Sequence, residues 1–282
     1  MDNKRISLVS TTLFTVCSIL VLDSFVAPAM IGVSSIFVWI IAALVFFVPY
    51  GLLSAELGSS FPDDGGIVSW VSLAFGEFAG VLVGWMFWIS VAFTIPSEFT
   101  AFTGWLRMAI FPHMGLRLQA VIAFAMCWIL GANEAFQGAG LDKRSRFLSH
   151  RHPRYGTSDN LCYLMCILST VLIVFNFALS EDANDIFWAI FGFHSVVFLL
   201  NYLFLFPAAI KLKYSRPVPR SYEVPGGKTG MWICGVICFV TVALACWLLM
   251  DWNIGGYAFW MQSVGILLTI ASGCWLYRSG KK

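Results

Sequence analysis

Long apolar runs separated by short polar segments dominate the chain. Each run approaches the roughly 20 apolar residues that a helix needs to cross the hydrocarbon core of a bilayer. Together the runs predict eight transmembrane helices, at about 7–31, 34–57, 79–101, 117–136, 160–179, 186–210, 231–250 and 257–276. The pattern therefore predicts an all-α polytopic membrane protein.

The composition supports this prediction. Hydrophobic residues make up 59% of the 282 positions and charged residues only 11%, with a mean hydropathy of +0.82. Soluble domains are about half apolar and about a quarter charged, so this chain is short of the charge that a soluble surface needs. The first apolar run is too long for a cleavable signal and leads straight into a second run, so we expect no signal peptide.

The basic residues lie in a few segments on one side of the predicted spans. Of the 17 lysines and arginines, all but Arg107 and Arg117 fall on the side that contains both termini. By the positive-inside rule, that side is cytoplasmic. Because these charges lie in loops between spans, the net charge of +2 does not indicate nucleic-acid binding. We expect the lipid bilayer as a partner and no nucleic acid.

Three ionisable residues within or beside apolar runs are candidate functional residues. Asp23 precedes Pro28, which interrupts the first helix. An acid inside a membrane indicates a functional site. Asp23 could equally lie at the outer interface and form a hydrogen bond with an unwound turn. Glu56 could take part in a gate by pairing with a basic loop residue, or could cap and orient the second helix. His194 could couple transport to protons, or could bond a neighbouring helix.

Other candidate chemistry is sparse. Two pairs of cysteines, Cys162/Cys166 and Cys234/Cys238, have a helical spacing of four that would suit metal ligation. No nearby histidine or acid completes a tetrahedral set, so buried packing is the better interpretation. The sequence lacks a phosphate-binding glycine motif, a nucleophile elbow and an HExxH motif. We expect no enzyme activity, no metal and no organic cofactor.

The third predicted span is rich in tryptophan. Trp85, Trp88 and Trp105 fit lipid-facing or interfacial positions, where the amphipathic indole ring is commonly found.

The segment 49–76, PYGLLSAELGSSFPDDGGIVSWVSLAFG, contains a specific motif. Its Pro, Glu, Pro, Gly-Gly and Trp, in that order, resemble the loop after the second membrane helix of the amino acid–polyamine–organocation permeases. Among these permeases it is most similar to the bacterial glutamate/GABA-antiporter branch. The resemblance implies amino acid antiport or proton-coupled amino acid transport across a bacterial cytoplasmic (inner) membrane.

The resemblance also implies a substrate site. In permeases of this type the first helix is interrupted midway, and its free backbone amides hold the carboxylate of an amino acid, because half-helix N-termini carry partial positive charge. The matching positions here lack the family's usual glycine-rich break and are Asp23, Ser24, Phe25, Val26 and Ala27. For coupling or gating, the candidate residues are Asp23, His194 and Glu56.

The fourth span contains an unusual junction. LRLQAVIAFAMCWIL resembles the start of the family's fourth helix, whereas WILGANEAFQGAGLDKRSRFLSHRHPRYGTS resembles the end of the eighth helix and the following loop. FWAIFGFHSVVFLLNYLFLFPAAIKLK then resembles the tenth helix, and RPVPRSYEVPGG the loop before the eleventh. This implies an internal deletion that removes the equivalents of helices 5 to 7 and most of 8 and leaves a partial five-helix inverted-repeat fold. The fused helices run in the same direction, so every later helix keeps its orientation.

Three segments follow from this junction. We predict an N-terminal membrane bundle at 1–136, fused at about 128–136, then a basic cytoplasmic loop at 137–159 and a C-terminal membrane bundle at 160–282. Because the broken first helix would lack its pseudo-symmetric partner, one hypothesis is a shortened and impaired permease. The alternative is a non-transporting remnant or membrane interaction protein, whose exposed helix faces a homodimer would cover.

Overall fold

The computed structural model describes residues 32–62, 65–115, 183–216 and 218–279. Between these ranges it also describes positions 117–119, 121–122, 150, 160, 163–164, 166–168, 170–171 and 174. Within the described part of the chain all regular structure is helical. The chain divides into two compact units, 1–48 and 49–282.

The described part of the first unit is one apolar helical stretch. Helix α1 comprises Ser34–Ala42, and a π-helical segment, Ala43–Phe47, follows it. The π segment precedes Pro49, which has no amide proton for the helical ladder, and a local change to wider helical turns is a usual response. None of the side chains in these two elements is buried.

The second unit contains the longer helices. Helix α2 is Val48–Ser60 and α3 is Ile67–Phe75. Helix α4 is Glu77–Ala109 and α5 is Ala183–Ser215. The last two helices are α6, Gly227–Leu249, and α7, Tyr257–Ser279.

Helix α5 is the centre of the second unit. It contacts α3, α4, α6 and α7, and α4 also packs against α3 and α7. The largest fully buried side chains include Trp88 on α4 and Phe193 and Phe206 on α5. Trp88 stacks on Trp85, with ring centroids 5.1 Å apart, and the Trp85 indole donates to Ser272 Oγ of α7 at 2.9 Å. The expectation that Trp88 faces lipid or the membrane interface is therefore wrong, because its side chain is buried and stacks on Trp85.

The outer faces of α6 and α7 are apolar and exposed. Large exposed side chains on these helices include Trp232, Val240, Leu244, Trp247, Leu248, Leu267, Leu268 and Trp275. A helix that is apolar on its outer as well as its inner face is typical of a membrane span, since lipid tails solvate the outer face. These two helices therefore present lipid-facing surfaces.

Five of the described helical stretches are long and apolar enough to cross a membrane: Ser34–Ser60, Glu77–Thr94, Phe187–Ser215, Gly227–Leu249 and Tyr257–Ser279. They overlap five of the eight predicted spans, which confirms the prediction of an all-α polytopic membrane protein. The span predicted at 7–31 lies outside the described residues, as do most of those at 117–136 and 160–179. The predicted internal deletion and the orientation of the termini remain predictions.

A tight turn links α2 to α3. Gly66 has a φ of +50°, a conformation that residues other than glycine rarely adopt. The indole nitrogen of Trp70 donates to the carbonyl of Phe61 at 3.0 Å, and Val71 is fully buried. The short helix α3 follows this turn and packs against both α4 and α5.

Candidate functional site

Glu56 lies one turn before the end of α2 and is completely buried. Its Oε1 accepts a hydrogen bond from Lys213 Nζ at 2.7 Å and another from Arg220 Nη1. Its Oε2 accepts a hydrogen bond from the backbone N–H of Val224 at 2.7 Å. Both oxygens of this carboxylate are therefore satisfied by donors more than 150 positions away in the chain.

Lys213 and Arg220 each make a further polar contact besides the one with Glu56. Arg220 Nη2 donates to the carbonyl of Leu212 at 3.3 Å, near the C-terminus of α5, where the helix dipole favours positive charge. Lys213 lies 3.3 Å from Glu223 Oε1. The side chains of Lys213 and Arg220 are only 5% and 6% exposed, whereas that of Glu223 is 58% exposed. We call Glu56, Lys213, Arg220 and Glu223, with the Val224 amide, the Glu56 network.

The formal charges of the network cancel, since two carboxylates face two cations. This balance is what makes the burial tolerable, because an unpaired buried charge costs several kcal/mol. The geometry joins the end of α2 to the end of α5 and to the connection between α5 and α6. The intact network can therefore hold this end of the helix bundle closed, and breaking its ion pairs can let the helix ends separate.

The backbone conformation of the connection between α5 and α6 places Arg220 and the Val224 amide within hydrogen-bond distance of Glu56. Gly226 and Gly227 have φ angles of +87° and +59°, which favour glycine, and they reverse the chain directly after Val224. A Cβ on Gly230 would lie 1.9 Å from the carbonyl oxygen of Pro225, so the first turn of α6 packs closely on this reversal. Val224 itself is buried, which holds its amide against the carboxylate.

The two interpretations of Glu56 made from the sequence were pairing with a basic loop residue and capping of the second helix. The structure places Arg220, a basic residue of the connecting segment, on Glu56. It adds Lys213 and the Val224 amide, neither of which was predicted. The signal for them was present, since a buried acid requires compensating donors and 211–228 is a basic segment. The gating role of Glu56 remains a prediction.

His194 is buried on α5, facing α4. Its Nδ1 lies 3.2 Å from Thr94 Oγ1, and Thr94 Oγ1 donates its single proton to the carbonyl of Ser90 at 2.9 Å. Thr94 must therefore accept at His194, so Nδ1 carries the imidazole proton and Nε2 is a lone-pair acceptor. Nε2 has no hydrogen-bond partner among the described residues. The arrangement provides the ordinary interhelical bond and leaves Nε2 as a buried lone-pair acceptor.

Replacement of Thr94 tests this assignment. We expect Thr94→Val to lower the free energy of unfolding by about 1 kcal/mol, because the Nδ1–H of His194 would lose its acceptor in a buried site. Thr94→Ser keeps the hydroxyl and is expected to retain nearly full stability. Unfolding of the detergent-solubilised protein, followed by circular dichroism, measures the difference. Equal stability of the two variants would contradict the hydrogen bond.

The remaining candidate residues are the predicted substrate contacts and the cysteines. Asp23, Ser24, Phe25, Val26 and Ala27 lie outside the described residues. The five cysteines that the structure describes, Cys166, Cys234, Cys238, Cys246 and Cys274, are free thiols. Over the same described ranges no group of three metal-ligating side chains is found.

The long apolar helices, with a buried and neutralised ion cluster at one end of the bundle, define an integral membrane protein. Residues 6–137 match the sequence model of the amino acid permease family. By this match, which covers a little under half of the chain, it is similar to the amino acid permease family.

Several curated relatives carry transport names. Over 114 residues the chain is 35% identical to an uncharacterized transporter of Legionella pneumophila, covering 40% of this chain and 25% of the relative. Over 92 residues it is 34% identical to a probable agmatine/putrescine antiporter of Lactococcus lactis, covering 32% of this chain and 20% of the relative. A probable polyamine transporter of Arabidopsis thaliana is 33% identical over 92 residues, covering 33% of this chain and 18% of the relative.

The chain thus spans a quarter or less of the length of these curated relatives. No solved structure matches it.

Proposed function

We propose that this chain is a membrane transporter of the amino acid permease family that carries an amino acid or polyamine across a bacterial cytoplasmic membrane. The match to the amino acid permease family supports transport as the activity, and the names of the relatives support a substrate that carries an amine. Antiport or coupling to protons is the mechanism that we favour. Both termini would be cytoplasmic, as the distribution of basic residues predicts.

The Glu56 network is the observation that carries this proposal. Glu56 belongs to the segment that matches the permease family, 6–137, whereas its partners lie at 213–224, beyond the predicted junction. Helices from both sides of that junction also pack together, since α5 contacts α3 and α4. This packing supports a bundle assembled as a working unit across the predicted deletion. In this mechanism the network closes the cytoplasmic end and breaks when the transporter opens inward.

The substrate and coupling sites are placed at the residues predicted from the sequence. Asp23, Ser24, Phe25, Val26 and Ala27 would contact the substrate, with the free backbone amides of an interrupted helix binding a carboxylate. His194 would exchange the coupling proton through Nε2, the buried acceptor atom that has no partner among the described residues. Asp23 is the other candidate for charge coupling.

Exchange of radiolabelled solutes into proteoliposomes that contain the purified chain tests the proposal. We expect saturable uptake of at least one member of a panel of amino acids, agmatine and putrescine. Asp23→Asn is expected to abolish uptake, and His194→Gln to remove its dependence on an imposed pH gradient while leaving downhill exchange. Gly104→Ala, inside α4 where a Cβ would meet nothing within 4 Å, is the control and should transport like the wild type.

A second function is favoured by the sequence junction. A chain that lacks the equivalents of helices 5 to 7 would have lost the partner of its broken first helix, and it would be a non-transporting remnant or membrane interaction protein. The absence of uptake by protein shown to be folded, together with no thermal stabilisation by any substrate of the panel, would support this alternative. A ligand present at 100 times its Kd would stabilise a binding-competent fold by about 2.7 kcal/mol, which a melting experiment detects.

A further inference from the structure

A cavity of about 560 Å³ lies among the N-terminal part of α5, the end of α6 and the start of α7. Three aromatic residues, Trp188, Phe191 and Tyr257, contribute to its wall, together with the segment 248–251. Among the described residues of this wall, Asp251 is the only acidic or basic one. The volume falls in the range of about 300–1,000 Å³ that is typical of small-molecule sites.

Asp251 is held in place by the surrounding turn. Its backbone N–H donates to Gln262 Oε1 at 2.8 Å, and Gln262 Nε2 donates to the carbonyl of Leu249 at 3.3 Å. The carboxylate oxygen Oδ1 accepts from the backbone N–H of Asn253 at 2.9 Å. Gln262 is only 3% exposed, so a buried side chain fixes the segment that carries the acid.

Gly192 makes this arrangement possible. A Cβ at this position would lie 2.2 Å from Gln262 Nε2, so only glycine lets the amide of Gln262 reach the end of α6 across α5. The acid and its aromatic neighbours therefore occupy a preorganised wall and not a loose surface loop.

From this geometry we infer that the cavity binds a small organic ammonium ion, with Asp251 as the counter-charge and the rings of Trp188, Phe191 and Tyr257 as the surrounding wall. Aromatic rings attract cations through their quadrupole, and the attraction strengthens where water is excluded. A carboxylate among aromatic residues, with no basic side chain among the described lining residues, favours a cation over an anion or a neutral solute. The alkyl part of the ion would pack on Leu248 and Ala258.

This site is separate from the residues proposed for transport. Gly192 and Lys213 lie on the same helix and are 21 residues apart, which corresponds to about 30 Å along its axis. The cavity is therefore at the end of α5 opposite to the Glu56 network. Its ammonium ion could come from a free solute or from the headgroup of a zwitterionic lipid, since both present the same chemistry at the end of a membrane bundle.

Calorimetric titration of the purified full-length chain in lipid-free detergent tests the inference. The probes are choline and butylammonium, and the neutral analogues 3,3-dimethylbutan-1-ol and butan-1-ol are matched to them in shape. We expect saturable binding of at least one cation and at least about tenfold weaker binding of its neutral analogue. Asp251→Asn is expected to weaken cation binding about tenfold, and it keeps an oxygen that can accept from Asn253. Tyr257→Leu should weaken binding several-fold.

Glu77→Gln is the control, because it removes one negative charge at the start of α4, outside the cavity wall, and should leave binding unchanged. Binding that is equal for cations and alcohols, or that survives Asp251→Asn, would overturn the inference, as would no binding by folded protein. Nanodiscs separate the two sources. Weaker choline binding in phosphatidylethanolamine than in an uncharged glycosyl-diacylglycerol indicates a headgroup ligand, and equal binding indicates a free solute. Because no step measures uptake, failure here is distinguishable from failure of the proposed transport.

Discussion

Replacement of Glu56 by alanine is expected to lower the free energy of unfolding by about 3–5 kcal/mol. The substitution leaves Lys213 and Arg220 buried, at 5% and 6% side-chain exposure, without the carboxylate that neutralises them. It also leaves the Val224 amide without its acceptor. Since folded proteins are stable by only about 5–15 kcal/mol, a loss of this size should be evident in the yield of folded protein. Titration with a denaturing detergent, followed by circular dichroism, measures it.

Glu223→Gln is the matched control for this prediction. Glu223 contacts the same lysine but is 58% exposed, so its removal should cost less than about 1 kcal/mol. Adding Lys213→Met to the Glu56→Ala protein removes one of the two buried positive charges that have lost their carboxylate partner. The double variant should therefore be more stable than additive losses would predict. Equal small losses for Glu56→Ala and Glu223→Gln would show that Glu56 is not a buried counter-charge.

The second large effect is expected at the contact of α5 with α7. A Cβ on Gly265 would lie 2.5 Å from Cε2 and 2.8 Å from Cδ2 of the Phe193 ring. Phe193 is only 2% exposed and packs edge-to-face on Phe93, with ring centroids 4.6 Å apart, so the ring has little room to move. Gly265→Ala should therefore cost about 1–3 kcal/mol through overpacking, as measured by the same unfolding titration.

Gly104→Ala serves as the control for the glycine prediction. Gly104 lies inside α4, and a Cβ there would meet nothing within 4 Å, so alanine should be neutral or stabilise the helix by up to about 1 kcal/mol. Phe193→Leu in the Gly265→Ala background should recover part of the lost stability, because it removes the ring that the new methyl group strikes. A Gly265→Ala protein as stable as the Gly104→Ala protein would refute the close packing of α5 on α7.

Hydropathy was sufficient to predict the five membrane-length helices that the structure describes, because a membrane span must be long and apolar regardless of its neighbours. It could not predict the burial of Trp88, because tryptophan is equally suited to lipid and to a packed interior, and only the packing of the helices decides between them. The ordinary explanation for His194, a bond to a neighbouring helix, was available from the sequence. Its partner Thr94 was not, since nothing distinguishes that threonine locally.

The Glu56 network was likewise predictable from the sequence only in part. That a buried acid needs a partner follows from charge, and the basic segment 211–228 supplied candidates. The choice of Lys213 and Arg220 depends on the rotation of α5 and on the chain reversal at Gly226, which are tertiary features. The wall of the cavity around Asp251 was not predicted for a related reason, because its residues come from three helices and only their packing brings them together.

The separation of Glu56 from its partners has a consequence for synthesis. Arg220 follows Glu56 by 164 residues, so at about 5–20 residues per second the ribosome adds it roughly 8–30 s later. During that interval the carboxylate at the end of α2 has neither of its cations, and it must stay hydrated at the membrane surface. Insertion of the early helices and sealing of this end of the bundle are therefore separate events. A chain whose translation stops before residue 213 would keep an open, hydrated acid where the finished protein has a closed ion cluster.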